Sequence, residues 1–488
     1  MILSPRLWRL GGFVILALLL LGGFTVWRRG SALGTSASRT SPQIRPQTAN
    51  PVPLRSPLPQ DPQIQAFFNQ SEAAVYTEPA RQQSRLGDNL EQVIVGAIQS
   101  AQTSVVVAAH ELNLPHIALA LKERHQAGVQ VRVLVENTYR NSLSQLTPHQ
   151  VQQLDERGQK KYQNYVQWID QNQDGHLAPD EIAARDALAI LHMAKVPLLD
   201  DTADGSKGSD LMHHKFVVVD DRTLLVGSAN FTWSDIHGDF SASASRGNAN
   251  HLLKVASPQV AQLFRQEFDL MWGNGGKTSQ FGLKKPYRVP QAFRLSPHSQ
   301  VTVQFSPTSK KFPWQQSVNG LISQHLSQAK QSIDLALFVF SDQQISNTLE
   351  GKHLQKVKIQ ALIDPSFAYR DYSEALDLMG VAVANNGCRY ESNNRPWSKP
   401  LTTVGTPQLP EGDLLHHKFG VIDRTVVVTG SQNWSEAANS GNDENLLVIR
   451  NAMVAAHFQR EFERLYDGAR LGVPETVRAK MQQCRSSS

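Results

Sequence analysis

Cysteine is scarce in this chain of 488 residues, which contains only Cys388 and Cys484. Two cysteines near the carboxyl end are too few for a disulfide framework, and they say little about the compartment in which the protein works. Hydrophobic residues make up 40% of the chain and charged residues 19%, which is typical of a globular protein and not of a disordered one. The length predicts about three structural units.

Acidic residues are missing from residues 1–60, which hold seven arginines and no lysine. The whole chain has 48 basic and 43 acidic side chains, so residues 61–488 retain 41 basic groups against all 43 acidic ones. The formal charge of +5 therefore belongs to the amino-terminal segment and not to the body of the protein. Because proteins that bind nucleic acids usually have a basic body, this balance disfavours DNA or RNA as a partner, although a local basic groove is compatible with it.

The long hydrophobic run of the chain is residues 10–27, which contain no charged side chain and are bounded by arginines on both sides. At about 1.5 Å per residue this run is just long enough to cross a bilayer, so residues 1–30 are predicted to form a transmembrane anchor. Two other interpretations fit the same residues: a signal peptide cleaved near Ala37, and a buried core helix.

The orientation of this leader is ambiguous. The arginines after the hydrophobic run favour a cytoplasmic body, whereas a leader of this shape more often directs the export of the rest of the chain. We expect a body that is anchored outside the cytoplasm, or secreted if the leader is cleaved. Residues 31–84 are predicted to be a linker and lead-in, because Pro, Ser, Gln and Thr dominate from about Ser31 to Asp61.

An internal duplication lies beyond the linker. Residues 101–109 and 329–337 both predict a helix end followed by a buried strand, and a second apolar strand comes at the same spacing, at residues 131–136 and 359–364. Helical patterns separate the two strands of each copy. This order predicts parallel pairing and an α/β architecture.

The predicted repeats occupy residues 85–275 and 300–470, and residues 471–488 are predicted to be a carboxyl-terminal tail. The first repeat is the longer one, since 77 residues separate Glu136 from His213, whereas 52 separate Asp364 from His416. We place the extra residues in an insertion at residues 158–193.

Each repeat contains the pattern His-x-Lys-x4-Asp, followed by Gly-Ser-x-Asn. The chemistry-bearing residues of the first copy are His213, Lys215, Asp220, Ser228 and Asn230. Those of the second copy are His416, Lys418, Asp423, Ser431 and Asn433. Adjacent histidines are often core or metal-binding residues, but the doubled context argues against that interpretation. An inactive copy is disfavoured as well, because neither copy lacks its His or Lys.

Two such copies, brought face to face, can split a phosphodiester without a metal. One imidazole can attack phosphorus and hold the phosphoryl group, while the other protonates the leaving alcohol and later activates water. The lysines offer positive charge to the negative charge that develops at phosphorus, and Ser and Asn offer neutral donors to phosphate oxygens.

Both copies resemble the signature of the phospholipase D superfamily. The resemblance implies a pseudo-twofold pair of α/β sandwich halves with one active site at their interface. It implies that His213 is the nucleophile and His416 the general acid, with both lysines and both asparagines of the motifs binding phosphate. Asp220 and Asp423 would mainly hold the motif strands in place. Since both motifs lie in one chain, the protein is expected to be active as a monomer.

The two copies differ after the Gly-Ser-x-Asn segment. Many members of the family have an acidic residue there that orients a catalytic histidine, and Glu444 fills that position in the second repeat. The first repeat has Asn250, which can bond an imidazole but cannot stabilise its positive charge. The two histidines are therefore expected to have different pKa values, and the assignment of the nucleophile stays open.

The insertion contains a sequence that fits the calcium loop of an EF-hand at residues 170–181. Its side-chain ligands at loop positions 1, 3, 5 and 12 would be Asp170, Asn172, Asp174 and Glu181. His176 would contribute only its backbone carbonyl, and a water would serve at Ala178. No second loop of this kind is present in the sequence, so a structural or weakly regulatory Ca²⁺ is expected. The competing interpretation is a surface turn that binds nothing.

We therefore expect a phospholipase D-type phosphodiesterase that acts on phospholipids beside the membrane. The alternatives are a nuclease of the same superfamily, a cardiolipin-synthase-like transferase and a calcium-regulated membrane scaffold. Calcium is the only cofactor that the sequence predicts.

Overall fold

The computed structural model describes residues 52–240 and 242–485. Each repeat builds one large mixed sheet with helices packed on it, which confirms the expected α/β class. The predicted anchor or signal helix at residues 1–30 lies outside the described residues. Within the part that the structure describes, no helix combines the length and the apolar character needed to cross a membrane.

The described residues of the first repeat form nine strands. They are β1 (Ile64–Phe68), β2 (Val75–Thr77), β3 (Ser84–Leu86), β4 (Ser104–Ala109), β5 (Gln130–Val135), β6 (Leu198–Asp200), β7 (Lys215–Val219), β8 (Thr223–Gly227) and β9 (His251–Ala256). Its α-helices are α1 (Leu90–Gln99), α2 (Pro115–Gln126), α3 (Pro148–Gln153), α4 (Glu156–Ile169), α5 (Pro179–Arg185), α6 (Ala187–Met193), α7 (Trp233–Ile236) and α8 (Pro258–Trp272).

The second repeat has eleven strands in its described residues. They are β10 (Gln291–Ser296), β11 (Ser299–Phe305), β12 (Ser332–Leu337), β13 (Phe340–Ser341), β14 (Lys358–Ile363), β15 (Val404–Thr406), β16 (Lys418–Ile422), β17 (Val426–Gly430), β18 (Trp434–Ser435), β19 (Asn445–Arg450) and β20 (Arg470–Leu471). Its α-helices are α9 (Val318–Ser327), α10 (Gln343–Leu354), α11 (Glu374–Leu378), α12 (Glu436–Ser440), α13 (Ala452–Tyr466) and α14 (Glu475–Arg485).

The two large sheets have the same internal order. The first runs β1-β9-β8-β7-β4-β5-β6, and the second runs β10-β11-β19-β17-β16-β12-β14-β15-β20. In the first sheet β4 pairs in parallel with β5 and antiparallel with β7, and β12 does the same with β14 and β16. The parallel pairing that the strand–helix–strand spacing predicts is therefore confirmed in both repeats.

The central strands are buried on both faces, which explains their continuous apolar sequences. One hydrophobic cluster is shared by both repeats and includes α8, α13 and the inner faces of the two sheets, among them Phe216 and Phe419. A separate cluster lies on the outer face of each sheet. The shared middle layer packs the two repeats against each other and brings the motif strands β7 and β16 to one region.

The structure adds detail to two predicted segments and to the two cysteines. The lead-in at residues 31–84 contains β1, whose alternating buried residues pair antiparallel with β9, so the first sheet begins well before residue 85. Residues 471–488 are more than a tail, since α14 is helical. Cys388 and Cys484, which looked uninformative, form a disulfide that joins α14 to the loop before β15.

Candidate active site

Each motif histidine is positioned by the opposite repeat. His213 and His416 lie just before β7 and β16, and the backbone N–H of His213 donates to the Asp443 carbonyl over 3.0 Å. In the same way, the N–H of His416 donates to the Ala249 carbonyl over 3.1 Å. These reciprocal bonds place both histidines at the junction of the repeats, where each is more than nine-tenths buried.

The side chains of the two histidines are also oriented across the junction. His213 Nδ1 lies 2.8 Å from Glu444 Oε2, and His416 Nδ1 lies 3.0 Å from Asn250 Oδ1. Asn250 Oδ1 and an ionised Glu444 only accept hydrogen bonds, so each Nδ1 then carries a proton and each neutral ring keeps its lone pair on Nε2. Nucleophilic attack and proton transfer both need this nitrogen.

The motif serines have a different place from the one predicted. Ser228 Oγ donates to Asn250 Oδ1 over 2.7 Å, and the Ser431 side chain bonds to Glu444. Each serine therefore supports the residue that orients a histidine of the other repeat. In this structure both hydroxyls are engaged behind the site, and phosphate binding by Ser228 and Ser431 stays a prediction that would require them to exchange these bonds.

The motif asparagines are placed differently from the serines. The side-chain oxygens of Asn230 and Asn433 are buried and have no hydrogen-bond partner among the described residues. The Asn230 backbone N–H donates to Asp235 over 2.7 Å. A phosphate-binding role for the two asparagine side chains stays a prediction.

The motif lysines begin β7 and β16 and are almost completely buried. Lys215 Nζ donates to the His213 carbonyl, and Lys418 Nζ donates to the His416 carbonyl, each over 2.8 Å. Burial lowers the pKa of Lys215 to about 8, and burial together with the charge of Lys215 holds the pKa of Lys418 well below its usual value. Two ammonium groups confined in this way favour the binding of an anion.

Asp220 and Asp423 do not belong to the reacting centre, although they complete the motif pattern. Asp220 accepts backbone N–H groups of residues 102–104 at the start of β4, and Asp423 accepts those of residues 330–332 at the start of β12. They tie the far end of each motif strand to its neighbour. Both carboxylates therefore hold a motif strand in place, the role that the family resemblance implies for them.

The second histidine of each motif points to the opposite strand face and is fully buried. His417 Nε2 lies 2.9 Å from Glu461 on α13, and His214 Nε2 lies 3.6 Å from Glu267 on α8. These contacts join the motif strands to the helices of the middle layer. His214 and His417 are therefore structural.

Two residues near the histidines are absent from the sequence prediction. Asp235 Oδ1 lies 3.9 Å from His416 Nδ1, so a carboxylate also lies near the second histidine. The ring of His110 lies 4.8 Å from that of His213, as the ring of Phe338 lies 4.8 Å from that of His416. The sequence signal that could have found His110 is its position directly after β4. Phe338 has the equivalent position directly after β12, so both residues are expected beside a motif histidine.

The charge state of the centre is set by burial. Burial lowers the pKa values of His213 and His416 well below the usual value, and Lys215 and Lys418 add to this shift. Burial raises the pKa of Glu444 to about 7, against the opposing charge of Lys215. The carboxylate form of Glu444, which holds the proton on His213 Nδ1, is therefore populated only from about neutral pH upward.

Replacement of Glu444 with glutamine tests this reasoning. In the wild-type protein, kcat/KM is expected to rise with pH through about 7 as Glu444 ionises, and this ascending limb should be lost in Glu444→Gln. The folded protein binds the Glu444 proton more tightly than the unfolded chain does. The stability of the wild-type protein should therefore fall as pH rises from the pKa of Glu444 in the unfolded chain to about 7. Over the same pH range the melting temperature of Glu444→Gln should rise relative to that of the wild-type protein. An unchanged pH–rate profile would contradict the role of Glu444.

The inserted residues form a helix, a loop and a helix. Asp170 accepts the backbone N–H groups of Asp174 and Gly175, and Gly175 has a positive φ of 80° with open space where a Cβ would stand. The carboxylate of Glu181 accepts three backbone N–H groups of the loop. The oxygen donors suit a hard cation such as Ca²⁺, and His176 offers only its carbonyl.

Two further details of the insertion bear on calcium. The helical segment after the loop is broken at Asp186, whose side chain caps α6. Among residues 52–240 and 242–485, no group of three or more His, Cys, Asp or Glu side chains is arranged to hold a metal ion. Because Glu181 is turned toward backbone N–H groups, calcium binding would require it to exchange these bonds for the ion.

Similarity to known proteins coincides with the repeats. A sequence model of the family described as "Cardiolipin synthase, PLD-like domain" matches residues 94–272 and 322–466, more than half of the chain. The mitochondrial cardiolipin hydrolase of Xenopus laevis is 29% identical over 139 residues, which are 28% of this chain and 56% of that protein. The chain thus matches little more than half the length of this relative. A phospholipase D of Rickettsia typhi (strain ATCC VR-144 / Wilmington) is 25% identical over 181 residues, 37% of this chain and 73% of that protein.

One solved structure resembles nearly the whole chain. Phosphatidylserine synthase from Haemophilus influenzae Rd KW20 superposes with a TM-score of 0.52 at 10% identity, over 88% of this chain and 94% of that one. At this identity the likeness shows a shared fold and no more.

Proposed function

The chain belongs to the phospholipase D superfamily, within its cardiolipin-synthase-type, PLD-like domain family, and we propose that it hydrolyses phospholipid head groups through a phosphohistidine. The observation that supports this most is the crossed pair of bonds from His213 to Glu444 and from His416 to Asn250. These bonds aim two imidazoles from two repeats into one centre. We infer that the repeats are related by a pseudo-twofold axis that passes through it.

In the first half-reaction His213 Nε2 attacks phosphorus, and the bond from phosphorus to the head-group oxygen breaks. Ionised Glu444 stabilises the positive charge of the phosphorylated imidazole, which is the reason to assign His213 as nucleophile. The anionic phosphodiester favours the doubly protonated form of His416, which gives its Nε2 proton to the leaving alcohol and becomes neutral. Lys215 and Lys418 stabilise the charge that develops on the phosphoryl oxygens.

In the second half-reaction His416 acts as a base. It removes a proton from water, the water oxygen bonds to phosphorus, and the bond to His213 Nε2 breaks. An alcohol that takes the place of water would give a new phosphodiester instead. The same site therefore supports transphosphatidylation, and the cardiolipin synthase description of the matched family makes the transferase the second candidate.

Three observations favour a lipid substrate over a nucleic acid. Residues 61–488 are nearly balanced in charge, which gives no general attraction to a polyanion. The relatives include proteins named cardiolipin hydrolase and phospholipase D. The aromatic contacts of Phe338 with Phe367 beside His416 also offer an apolar approach to the centre.

The decisive assay offers the full chain three kinds of substrate: phosphatidylcholine, phosphatidylglycerol and single-stranded DNA. Head-group release that is lost in His416→Ala supports the proposal. Cleavage of DNA with inert lipids would establish the nuclease instead. An added alcohol separates hydrolase from transferase, since only a transferase forms mainly the new phosphodiester. A protein that binds vesicles but cleaves nothing would be the scaffold.

We further propose that the loop at residues 170–181 binds one Ca²⁺. Calcium would bind the folded protein selectively, so saturating calcium should raise the melting temperature by about 3 °C or more. Glu181→Gln should abolish this rise, because it removes the bidentate ligand. The neighbouring exposed Asp180→Asn is the matched control and should keep the response. A wild-type melting temperature that changes neither with added calcium nor with added chelator would contradict the proposal.

We also infer that the body works outside the cytoplasm, either anchored by residues 1–30 or secreted, and as a monomer. The disulfide between Cys388 and Cys484 supports this location, since such bonds persist mainly in oxidising compartments. Intact-mass measurement with and without reductant on protein from its native compartment tests it. Two free thiols there would contradict the inference.

A further inference from the structure

The two histidines of the centre have different neighbours at equivalent positions. His110 follows β4 and donates its backbone N–H to the His214 carbonyl over 2.9 Å. Phe338 follows β12 and makes the same bond to the His417 carbonyl over 2.8 Å. The second repeat thus has a phenyl ring at the position where the first repeat has an imidazole. Since the phenyl ring packs there without any polar ring atom, packing alone does not require a histidine.

The imidazole of His110 is fixed on three sides. Its ring meets the His213 ring edge-on at 4.8 Å, its Nδ1 lies 3.3 Å from the Met212 carbonyl oxygen, and the Tyr139 ring lies 5.0 Å away. Because a carbonyl only accepts, Nδ1 carries the proton and the Nε2 lone pair is available. Burial, then the charges of Lys215 and His213, hold the pKa of His110 well below its usual value, so its ring is neutral.

The inserted helix α4 reaches the same group of side chains. Lys161 on α4 forms a salt bridge with Glu111, the residue after His110, and its Nζ lies 5.6 Å from the centre of the Tyr139 ring. The Lys161 side chain is one-third exposed and that of Glu111 is one-tenth exposed, so the pair lies at the edge of the buried centre. In the second repeat Phe338 instead contacts Phe367.

We propose that His110 is a positioning residue for His213 and that the Lys161–Glu111 salt bridge makes the inserted helix part of this support. The helix that enters the candidate calcium loop then holds one half of the centre in its reactive arrangement. The proposal rests on the two-histidine chemistry proposed above, but on neither the lipid substrate nor the bound calcium. It explains why the insertion lies in the repeat that contributes His213.

The test uses bis(p-nitrophenyl) phosphate, a chromogenic phosphodiester, so that a failure of the lipid proposal leaves it intact. His110→Phe copies the second repeat and keeps an aromatic ring, so the melting temperature should change little. Its kcat should fall about tenfold with KM nearly unchanged, because the His213 ring loses a fixed neighbour and not a substrate contact. Lys161→Met removes the salt bridge to Glu111 and should also lower kcat with KM nearly unchanged. Lys161→Arg keeps the positive charge and should have a kcat close to that of the wild-type protein. The neighbouring exposed Lys160→Met is the matched control and should match wild type.

A double-mutant cycle keeps the proposal falsifiable if one variant is unstable. If His110 and Lys161 act through the same support, the two substitutions are not independent. The double variant His110→Phe/Lys161→Met should then lose a smaller factor in kcat than the product of the two single-variant factors. Independent, multiplying losses would overturn the link to the inserted helix. Wild-type kcat in His110→Phe would overturn the positioning role of His110. If no variant or wild-type protein cleaves the chromogenic diester, the two-histidine chemistry has failed and not this inference alone.

Discussion

Replacement of either motif histidine is expected to lower kcat/KM for a phosphodiester by about three orders of magnitude or more. His213→Asn removes the nucleophile and His416→Asn removes the acid and base, while asparagine keeps a polar side chain of similar reach. Each histidine is bonded through Nδ1 to a residue of the opposite repeat, so both act in one centre. The double variant should therefore be little worse than either single one, because both steps need both rings. Steady-state assays of purified, folded variants measure this.

The control for these variants is His298→Asn, which alters an exposed histidine in the loop between β10 and β11. It should keep the wild-type rate. If His213→Asn and His416→Asn each kept a rate within about tenfold of wild type, a two-histidine mechanism would be wrong. If only one of them mattered, the repeats would not share a centre.

Removal of one motif lysine is expected to give the second-largest loss of activity. Unlike most substitutions of buried residues, it should make the protein more stable. Lys418→Met should lower kcat/KM by about two to three orders of magnitude, because a fixed positive charge beside the phosphoryl oxygens is lost. The same change should raise the melting temperature. Lys418 is fully buried, and both burial and the charge of Lys215 hold its pKa well below the usual value, so its charged form costs stability in the free protein.

Proton linkage gives this stability effect a pH dependence. Since the folded protein binds the Lys418 proton less tightly than the unfolded chain does, wild-type stability should rise with pH up to the unfolded pKa of lysine. The gain from Lys418→Met should therefore be largest at low pH and shrink as pH rises. Lys352→Met, at a mostly buried lysine bonded to Ser327 and Gln355, is the control and should leave activity unchanged. If the activity lost in Lys418→Met only matched the fraction of the protein that is unfolded, the phosphate-binding role of Lys418 would be contradicted.

Much of this centre was predictable because its signals are local. The His-x-Lys pattern fixes which side chains share a strand face, and the buried apolar runs fix β4, β5, β12 and β14. Strand–helix–strand spacing then fixes the parallel pairing. The position of Glu444 relative to the second motif also indicated an orienting acid. What the sequence did not contain was the partner of that acid, because the bond from Glu444 to His213 crosses between repeats.

The contacts that the sequence did not predict have the same origin. Ser228 and Ser431 have the chemistry of phosphate donors, yet the packed neighbours Asn250 and Glu444 take up their hydrogen bonds. Asp220 belongs to the motif by spacing, but the length of β7 places it at the far end of the strand, where it binds the backbone before β4.

Longer-range features were equally hidden. Strand β1 lies close to a proline-rich segment, and its partner in the sheet is β9, nearly two hundred residues later. The disulfide joins residues that are 96 positions apart. Neither contact leaves a periodic signal in the local sequence, so tertiary structure was needed to find them.

The covalent intermediate is the most direct test of the central claim. Wild-type protein and His416→Asn are mixed with a phosphodiester substrate, quenched in alkali, where phosphohistidine survives, and digested for mass spectrometry. We predict a substrate-derived phosphoryl group on the peptide that contains His213. It should accumulate further in His416→Asn when the substrate has a leaving group that needs no acid, because the return step then lacks its base. A phosphoryl group on the His416 peptide of the wild-type protein, or none on either peptide, would contradict the proposed mechanism.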